Sequence, residues 1–296
     1  MKSLEDIARN LCHPMEPLAT GTTTRLDKLP GVKAVLFDVY GTLLISGSGD
    51  VGTAAATDTA EAITQALEAT HFTGDLEKAG TAGKDRLKTE VLEWHAASRA
   101  AGIDYPEVDI AMVWTKVIDQ LRQDGILNPS NLDIEPIRQL AMVYECLVNP
   151  VWPMPYSLET IRNLKERGFV LGIVSNAQFY TPLLFSALFG QPLEEIGFNP
   201  DCCIWSYKEL KAKPSAALFP KAEKTLKRNH GIKLSETVYV GNDMLNDIYC
   251  AGNAGCKTVL FAGDRRSLRL REDDERCRDL HPDAVISSLA QLTELL

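Results

Sequence analysis

The sequence has 296 residues, 45% of them apolar, which is enough to fill the core of one large or two ordinary globular domains. Its 31 basic and 40 acidic residues give a formal charge of −9. A negative surface repels a phosphate backbone, so nucleic acid is not an expected partner. The sequence begins without the features of a signal peptide and contains no apolar run of bilayer-spanning length, so we expect a cytoplasmic protein without a membrane partner.

Residues 1–30 begin with apolar positions at helical spacing and continue with prolines and a Gly-Thr-Thr-Thr stretch, which predicts a short helix and a linker. The apolar run at 35–37 is typical of a strand buried on both faces of a parallel sheet. Asp38 follows at the carboxyl end of this strand, the edge where open α/β folds bind ligands. Gly41 then permits a tight turn within which Thr42 can form a hydrogen bond. Because an unpaired buried carboxylate is costly, Asp38 predicts a nearby cation or a reaction.

The segment 45–52 is rich in glycine and serine and predicts a flexible flap beside Asp38. From residue 53 to residue 149 the apolar residues recur at helical spacing in four stripes, without a good strand. We therefore expect an all-helical cap domain inserted at residues 46–150. Three side chains that could suggest a site in this segment are expected to pack or to face solvent instead: His71, His95 and Trp114.

From Val151 onward, predicted helices and strands alternate, which indicates a return to an α/β core. Residues 31–45 and 151–296 are therefore expected to form a doubly wound, mainly parallel, Rossmann-like sheet. The later strands are predicted at 169–174, 202–205, 237–240, 257–261 and 284–286.

The string that starts at Asp38, Asp-Val-Tyr-Gly-Thr-Leu, resembles the first motif of the haloacid dehalogenase-like (HAD) hydrolases, whose first aspartate is the nucleophile. Three later segments carry polar residues in the order of that family's other motifs: Ser175, then Lys213 before a proline, then Asp243 with Asp247. The resemblance implies the HAD fold, with a helical cap inserted after the first motif.

The resemblance also implies roles for these residues in phosphoryl transfer. Asp38 would attack phosphorus to give an aspartyl-phosphate. Ser175 would donate a hydrogen bond to a phosphoryl oxygen, and Lys213 would hold the charge of the transition state. We also expect Thr42 and Asn176 to bind the phosphate.

The cofactor implied by the resemblance is Mg²⁺, which prefers hard oxygen ligands and keeps several waters. Its protein ligands would be the carboxylates of Asp38, Asp243 and Asp247 and the main-chain carbonyl of Tyr40. A substrate that fits this chemistry is a small phosphorylated metabolite.

Two assignments stay open at this level. Lys211 is a near rival of Lys213, which we favour because a proline follows it. Asp243 and Asp247 match the family's two metal-binding acids, but an alignment with a longer spacing puts Asn242 in the first acidic place. One of the two acids could instead cap the following helix.

Tyr40 departs from the pattern of the family's phosphatases, which carry at this place an aspartate that protonates the leaving group. A phenol with a free pKa of about 10 cannot act as that acid and base, and general acid-base catalysis contributes roughly 10²- to 10⁴-fold. Poor leaving groups should therefore react slowly. Tyr40→Asp is expected to raise alkyl phosphate turnover, provided that the new carboxylate is not buried without a partner.

The family's 2-haloacid dehalogenases carry tyrosine at this place, which makes dehalogenation the main alternative. Those enzymes work without metal and lack an acidic fourth motif, whereas Asp243 and Asp247 are present here. We therefore favour a Mg²⁺-dependent phosphatase or phosphotransferase. A second alternative is a binding or scaffold protein that has kept the fold and lost turnover. The sequence leaves the oligomeric state open.

Overall fold

Six parallel strands form the central sheet in a computed structural model that describes residues 3–49, 59–129 and 133–296. The spatial order of the sheet places the first strand between the fourth and the sixth, so the chain winds outward in both directions, as predicted for a doubly wound α/β fold. In chain order the strands are β1 (Ala34–Phe37), β2 (Leu44–Ser46), β3 (Val151–Pro153), β4 (Val170–Ser175), β5 (Cys203–Trp205), β6 (Thr237–Gly241), β7 (Lys257–Phe261) and β8 (Ala284–Ile286). The central sheet has the order β5-β4-β1-β6-β7-β8.

Helices form most of the inserted segment and also pack against the faces of the sheet. No helix among the described residues is long and apolar enough to cross a bilayer. The α-helices are α1 (Leu4–Leu11), α2 (Thr59–Ala69), α3 (Leu76–Ala100), α4 (Ile110–Gln123), α5 (Ile134–Val148), α6 (Ser157–Glu166), α7 (Thr181–Phe189), α8 (Leu193–Ile196), α9 (Ser206–Glu209), α10 (Phe219–His230), α11 (Cys250–Asn253) and α12 (Leu292–Leu295). A π-helical segment spans Met244–Tyr249, and 3₁₀ turns span Pro200–Cys202, Leu234–Glu236 and Leu289–Gln291.

Strand β1 lies at the centre of the sheet, and its four residues are fully buried. It pairs in parallel with β4 on one side and with β6 on the other. The main-chain N–H of Asp38 continues this ladder by donating to the carbonyl of Val240 at 2.9 Å. The ladder therefore delivers Asp38 to the carboxyl edge of the sheet, as the apolar run at 35–37 predicts.

Helices α2 to α5 occupy the segment predicted to form the cap, although its definition as a separate domain at 46–150 stays a prediction. The chain leaves and re-enters the core through β2 and β3, which pair antiparallel with Ile45 opposite Trp152. The sequence analysis missed this ribbon because three-residue strands are too short to show a period. The flap prediction is wrong at residues 45 and 46, which are buried in β2, and its residues 50–52 lie outside the described part of the chain.

The N-terminal segment packs on the core, and its first helix is α1, as the apolar spacing predicts. Arg9 Nε donates to the carbonyl of Ala187 at the end of α7. Further along, Arg25 forms an antiparallel bridge with Val285 of β8, in which each N–H donates to the other residue's carbonyl at 2.8 and 2.9 Å. The part of this segment around Arg25 therefore pairs with the edge strand β8.

Candidate active site

One lysine ammonium group joins the predicted nucleophile to one of the predicted metal-binding acids. Lys213 Nζ lies 2.7 Å from Asp38 Oδ1 and 2.5 Å from Asp247 Oδ1. Ser175 Oγ donates to the same Asp38 oxygen at 2.9 Å, so the other carboxylate oxygen receives neither contact. Residues far apart in sequence thus meet at the carboxyl edge of the sheet, although their chemical roles stay predictions.

Lys213 is buried and has a third partner, the hydroxyl of Tyr239, at 2.8 Å. Burial by itself would lower the pKa of this ammonium group, but Asp247 and Asp38 outweigh it, so the pKa lies above its ordinary value and the group stays charged. The side chain of the rival Lys211 forms no ion pair with any other residue that the structure describes. The lysine at the site is therefore Lys213.

Asn176 holds the main chain of Lys213 in place. Its Oδ1 accepts from the N–H of Lys213 at 2.7 Å, and its Nδ2 donates to the carbonyl of Lys213 at 3.3 Å. The amide therefore fixes the segment that carries the ammonium group. Its predicted contact with phosphate stays a prediction, and the observed bonds assign it a positioning task.

Burial raises the pKa of both site carboxyl groups. For Asp247 the pKa rises to about 7, with Lys213 opposing the shift and the neighbouring acids adding to it. The pKa of Asp38 is raised in the same way, mainly by burial and against the effect of Lys213. Two buried carboxyl groups thus share one lysine, and a further cation would favour the ionised form of both.

Asp243 has its carboxylate fully engaged with other groups. Its Oδ1 accepts from the main-chain N–H of Leu245 at 2.8 Å and of Asn246 at 3.1 Å, which caps the π-helical segment. Arg271 pairs with the same carboxylate through Nη2, 2.5 Å from Oδ2, and Nε, 3.1 Å from Oδ1. The capping interpretation of one acid therefore applies to Asp243, and a direct metal bond would have to replace existing contacts.

Asn242, the alternative first acid, is also engaged. Its Oδ1 accepts from Thr42 Oγ1 at 2.9 Å, and its Nδ2 donates to the carbonyl of Ser267 at 2.7 Å. Thr42 is fully buried, and its hydrogen bond to Asn242 joins the turn after β1 to the fourth motif, which contains Asp243 and Asp247. Gly41 makes this approach possible, since its φ is +81° and an added Cβ would lie 2.3 Å from Ser267 Cβ. Phosphate binding by Thr42 stays a prediction.

Tyr40 is buried, and its hydroxyl lies 2.9 Å from Thr181 Oγ1 at the start of α7. Burial, and secondly the nearby Glu145, raise the pKa of this phenol well above its ordinary value. The phenol therefore stays protonated at neutral pH and cannot accept a proton there. The metal-ligand role predicted for the Tyr40 main-chain carbonyl is a separate matter and stays a prediction.

Asn176 lines two separate cavities. The smaller, about 20 Å³, is lined by residues that include Asp38, Tyr40, Lys213, Asp247 and Arg269. The larger, about 610 Å³, lies between helices α3, α4 and α5 and the loop after β4. Trp114 is fully buried and packs against Tyr144, as predicted, and both it and His95 line this larger cavity.

Sequence reasoning missed several side chains that shape the site. Tyr239 sits inside an apolar strand, where a tyrosine is an ordinary core residue, and Thr181 carries no motif. Arg269 and Arg271 belong to the long loop between β7 and β8, whose many charges gave no reason to single them out. The loop is fixed to the fourth motif by main-chain bonds, with the N–H of Arg269 donating to Asn242 at 3.0 Å.

The described residues contain no group of three or more histidine, cysteine, aspartate or glutamate side chains placed to hold a metal. Asp38 and Asp247 have no arginine partner: Asp38 keeps one oxygen outside the contacts of Lys213 and Ser175, whereas Asp247 Oδ1 accepts from Lys213 and its Oδ2 accepts from the N–H of Asp243 at 2.9 Å. Two carboxylates and one main-chain carbonyl suit Mg²⁺, because this ion usually keeps several waters. The residues present therefore fit the predicted ion.

Comparisons with known proteins agree with this arrangement. The glyceraldehyde 3-phosphate phosphatase of Pyrococcus furiosus is 26% identical over 208 residues, which are 64% of this chain and 78% of that protein. The ribulose-1,5-bisphosphate 5-phosphatase of Halopiger xanaduensis is 28% identical over 145 residues, 48% of this chain and 56% of that protein.

A 2-haloacid dehalogenase from Pseudomonas syringae pv. Tomato shares the fold, with a TM-score of 0.57 and 22% identity over 89% of this chain and 97% of the other. The family model for a haloacid dehalogenase-like hydrolase matches residues 32–255, a range that contains every motif residue of the site. The protein is therefore a hydrolase that belongs to the haloacid dehalogenase-like family.

Proposed function

We propose that this protein is a Mg²⁺-dependent phosphatase that acts on a small phosphorylated metabolite through an aspartyl-phosphate on Asp38. The observation that carries the proposal is the buried ammonium group of Lys213 between Asp38 and Asp247. The names of the two sequence relatives, both phosphatases of phosphorylated sugars, support the same chemistry.

The side chains present suit two in-line displacements at phosphorus. The carboxylate of Asp38 forms a bond to phosphorus while the bond from phosphorus to the leaving oxygen breaks. Lys213 and Ser175 offset the charge that develops on the phosphoryl oxygens. Water then attacks the phosphorus of the aspartyl-phosphate, which releases inorganic phosphate and regenerates Asp38. Because the phenol of Tyr40 is bonded to Thr181 and stays protonated, we do not assign it the transfer of a proton to the leaving oxygen.

Asp38, Asp247 and the main-chain carbonyl of Tyr40 would hold Mg²⁺, with Asp243 contributing through water at most. Two carboxylates and a phosphoryl group carry more negative charge than the single ammonium group of Lys213 can balance. When bound, the ion offsets the remaining negative charge. Burial is the largest cause of the raised pKa of Asp38 and of Asp247, and a bound cation would offset it, which supports this assignment.

The alternative is a metal-independent 2-haloacid dehalogenase, favoured by Tyr40. The buried pair of Asp38 with Asp247 weighs against it, because a second buried carboxylate beside the nucleophile is costly and Lys213 supplies one positive charge for the two. A fold-retaining binding protein is a weaker candidate, since the nucleophile, the lysine and the serine are in contact.

A panel of substrates with Mg²⁺ or with EDTA tests the proposal. We expect phosphate release from acetyl phosphate and p-nitrophenyl phosphate in Mg²⁺, and loss of that activity in EDTA. Chloride release from 2-chloropropionate that persists in EDTA would overturn the proposal in favour of dehalogenation. Absence of turnover on the whole panel, in protein shown to be folded, would favour the binding protein.

A further inference from the structure

Arg269 places a guanidinium group in the wall of the small cavity that also contains the predicted nucleophile. Its main chain is fixed to the fourth motif, because its N–H donates to the carbonyl of Asn242 at 3.0 Å and its carbonyl accepts from the N–H of Met244 at 2.8 Å. The side chain is half-buried and lines the cavity together with Asp38 and Lys213. The loop between β7 and β8 therefore brings a cation to the edge of the sheet where the motifs meet.

Three main-chain carbonyls hold the guanidinium group of Arg269. Nη1 donates to the carbonyls of Arg266 at 2.6 Å and Leu268 at 3.2 Å, and Nη2 donates to the carbonyl of Gly49 at 3.4 Å. A guanidinium group has five N–H donors, so Nε and the second N–H of Nη2 have no acceptor among the residues that the structure describes. These two donors form the edge of the group that can bind a carboxylate or a phosphate with two hydrogen bonds.

Arg271 shows what this edge binds when a carboxylate is within reach. It lies two residues further along the same loop, and its Nε and Nη2 contact the carboxylate of Asp243 at 3.1 and 2.5 Å. The same edge of Arg269 has no carboxylate partner in the described part of the chain. Arg265 and Arg278 of this loop also form no ion pair with a described residue, but both are exposed and line neither of the two cavities. Arg269 differs from them because it lies beside the predicted nucleophile.

The charges around the small cavity leave room for an anion. Three carboxylates line it: those of Asp38, Asp243 and Asp247. Arg271 pairs with one of them and Lys213 with the other two, so Arg269 makes the number of cations equal to the number of acids. The divalent ion of the proposed function adds two positive charges, which match the roughly two negative charges of a phosphate monoester at neutral pH. Without Arg269 this balance would be negative.

The size of the cavity brings its walls within reach of one small group. A volume of about 20 Å³ admits about one water-sized group. An oxygen of a phosphoryl group has about that size, and the phosphorus must lie next to the carboxylate of Asp38 for the attack to occur. A phosphoryl group in this position is therefore also next to Arg269.

We propose that Arg269 is a substrate-binding residue whose Nε and Nη2 donate to two oxygens of the phosphoryl group that Asp38 attacks. This inference rests on the proposed phosphatase function and adds to it a binding group that lies outside the motifs. Two parallel hydrogen bonds fix the orientation of the phosphoryl group as well as its position. Arg269 therefore aligns the phosphorus with the attacking carboxylate.

Steady-state kinetics with p-nitrophenyl phosphate in Mg²⁺, and competitive inhibition by inorganic phosphate, test this role. Arg269→Ala should lower kcat/KM and raise the inhibition constant of phosphate, each by roughly 10- to 100-fold, because hydrogen bonds to a charged group are lost. Arg269→Lys keeps the charge without the paired donors, so it should bind phosphate more tightly than Arg269→Ala but at least about 3-fold more weakly than the wild type. An unchanged inhibition constant in Arg269→Ala would overturn the inference and leave the phosphatase proposal intact.

Two controls separate substrate binding from support of the loop. Arg265→Ala removes an exposed arginine of the same loop that lines neither cavity, and it should leave both constants unchanged. Arg269→Ala also loses the bonds to three carbonyls, so the Tm of each variant is measured. A lower Tm with an unchanged inhibition constant would assign Arg269 to the loop alone and overturn the inference. If Arg269→Ala does not fold, Arg269→Lys decides, and wild-type phosphate binding in that variant would also overturn it.

The failure of the proposed function has a separate signature. If no ester, including p-nitrophenyl phosphate, releases phosphate in Mg²⁺, the phosphatase proposal is wrong. Calorimetric titration of inorganic phosphate then decides the role of Arg269. Binding that is about 10-fold or more weaker in Arg269→Ala supports an anion site at this residue. Binding that is equal in the two proteins, or absent from the wild type, overturns it.

Discussion

The guanidinium group of Arg271 and the carboxylate of Asp243 form an ion pair at the candidate metal site, with Nη2 2.5 Å from Oδ2. Arg271 is 28 residues away along the chain and reaches the site because the loop after β7 packs against the fourth motif. The pair neutralises one of the two acids that the sequence offers as metal ligands. Asp247, by contrast, faces Lys213 and Asp38.

This difference predicts unequal effects on metal binding. Asp247→Asn should weaken Mg²⁺ binding at least about 10-fold more than Asp243→Asn, because a carboxylate held by Arg271 is not available as a direct ligand. Isothermal titration calorimetry of the two variants and the wild type measures the difference. Equal Mg²⁺ affinity for wild type and Asp247→Asn would show that the site is wrongly placed.

Lys213 should matter for both stability and turnover. Lys213→Gln leaves Asp38 and Asp247 without their cation, and breaking a buried ion pair in this way costs roughly 3–5 kcal/mol. We expect that loss in the free energy of urea unfolding at pH 8 in EDTA, together with a fall of roughly 10²-fold or more in kcat. The matched control is Lys211→Gln, which should behave like the wild type in both measurements. If Lys211→Gln were the inactive variant, the rival alignment of the third motif would be right.

Tyr40 should act as a structural residue. Tyr40→Phe removes the hydrogen bond to Thr181, whose hydroxyl still accepts from the N–H of Gln178. The variant should therefore lose about 1 kcal/mol of unfolding free energy. Its kcat/KM for p-nitrophenyl phosphate should change by less than about 3-fold, because the phenol takes no part in the proposed chemistry. Thermal unfolding and steady-state kinetics check both values. A large loss of turnover in a stable Tyr40→Phe protein would instead place the phenol in the chemistry.

The structure reverses the expectation for Tyr40→Asp. The side chain at this position is buried, and Glu145 already raises the pKa of the phenol. A new carboxylate there would be buried beside Glu145, and an unpaired buried charge costs several kcal/mol. We therefore expect Tyr40→Asp to unfold at a lower temperature and to give no gain with glycerol 3-phosphate. A folded variant with faster alkyl phosphate turnover would restore the original expectation.

The raised pKa of Asp247 predicts a pH-dependent stability in the absence of metal. The carboxyl group has a pKa of about 7 when folded and 3.8 ordinarily, so the folded state binds more protons between these values. Stability therefore falls as the pH rises through this window. Relative to Asp247→Asn, wild type in EDTA should lose roughly 2–3 kcal/mol of unfolding free energy between pH 5 and pH 8. Urea unfolding of both proteins at the two pH values measures this loss. If the unfolding free energy of wild type, relative to that of the variant, rose with pH, the assignment would be contradicted.

The sequence by itself determined the position of Asp38, the predicted nucleophile, and the order of the motifs. The apolar run before Asp38 is a local pattern, and a strand buried on both faces must deliver the next residue to the carboxyl edge of the sheet. The same reasoning placed Ser175 and the acidic motif at the same edge, because parallel strands end together. These predictions depend only on neighbouring residues and on the handedness of βα connections.

Only the tertiary structure shows the direction of each side chain at that edge and the residue with which it pairs. Asp243 and Asp247 are alike in sequence, but Arg271 reaches one of them and Lys213 the other, through loops distant along the chain. Tyr40 follows Asp38 by two residues, yet its phenol bonds to Thr181 of α7. Such pairings depend on long-range packing, and a local pattern carries no information about them.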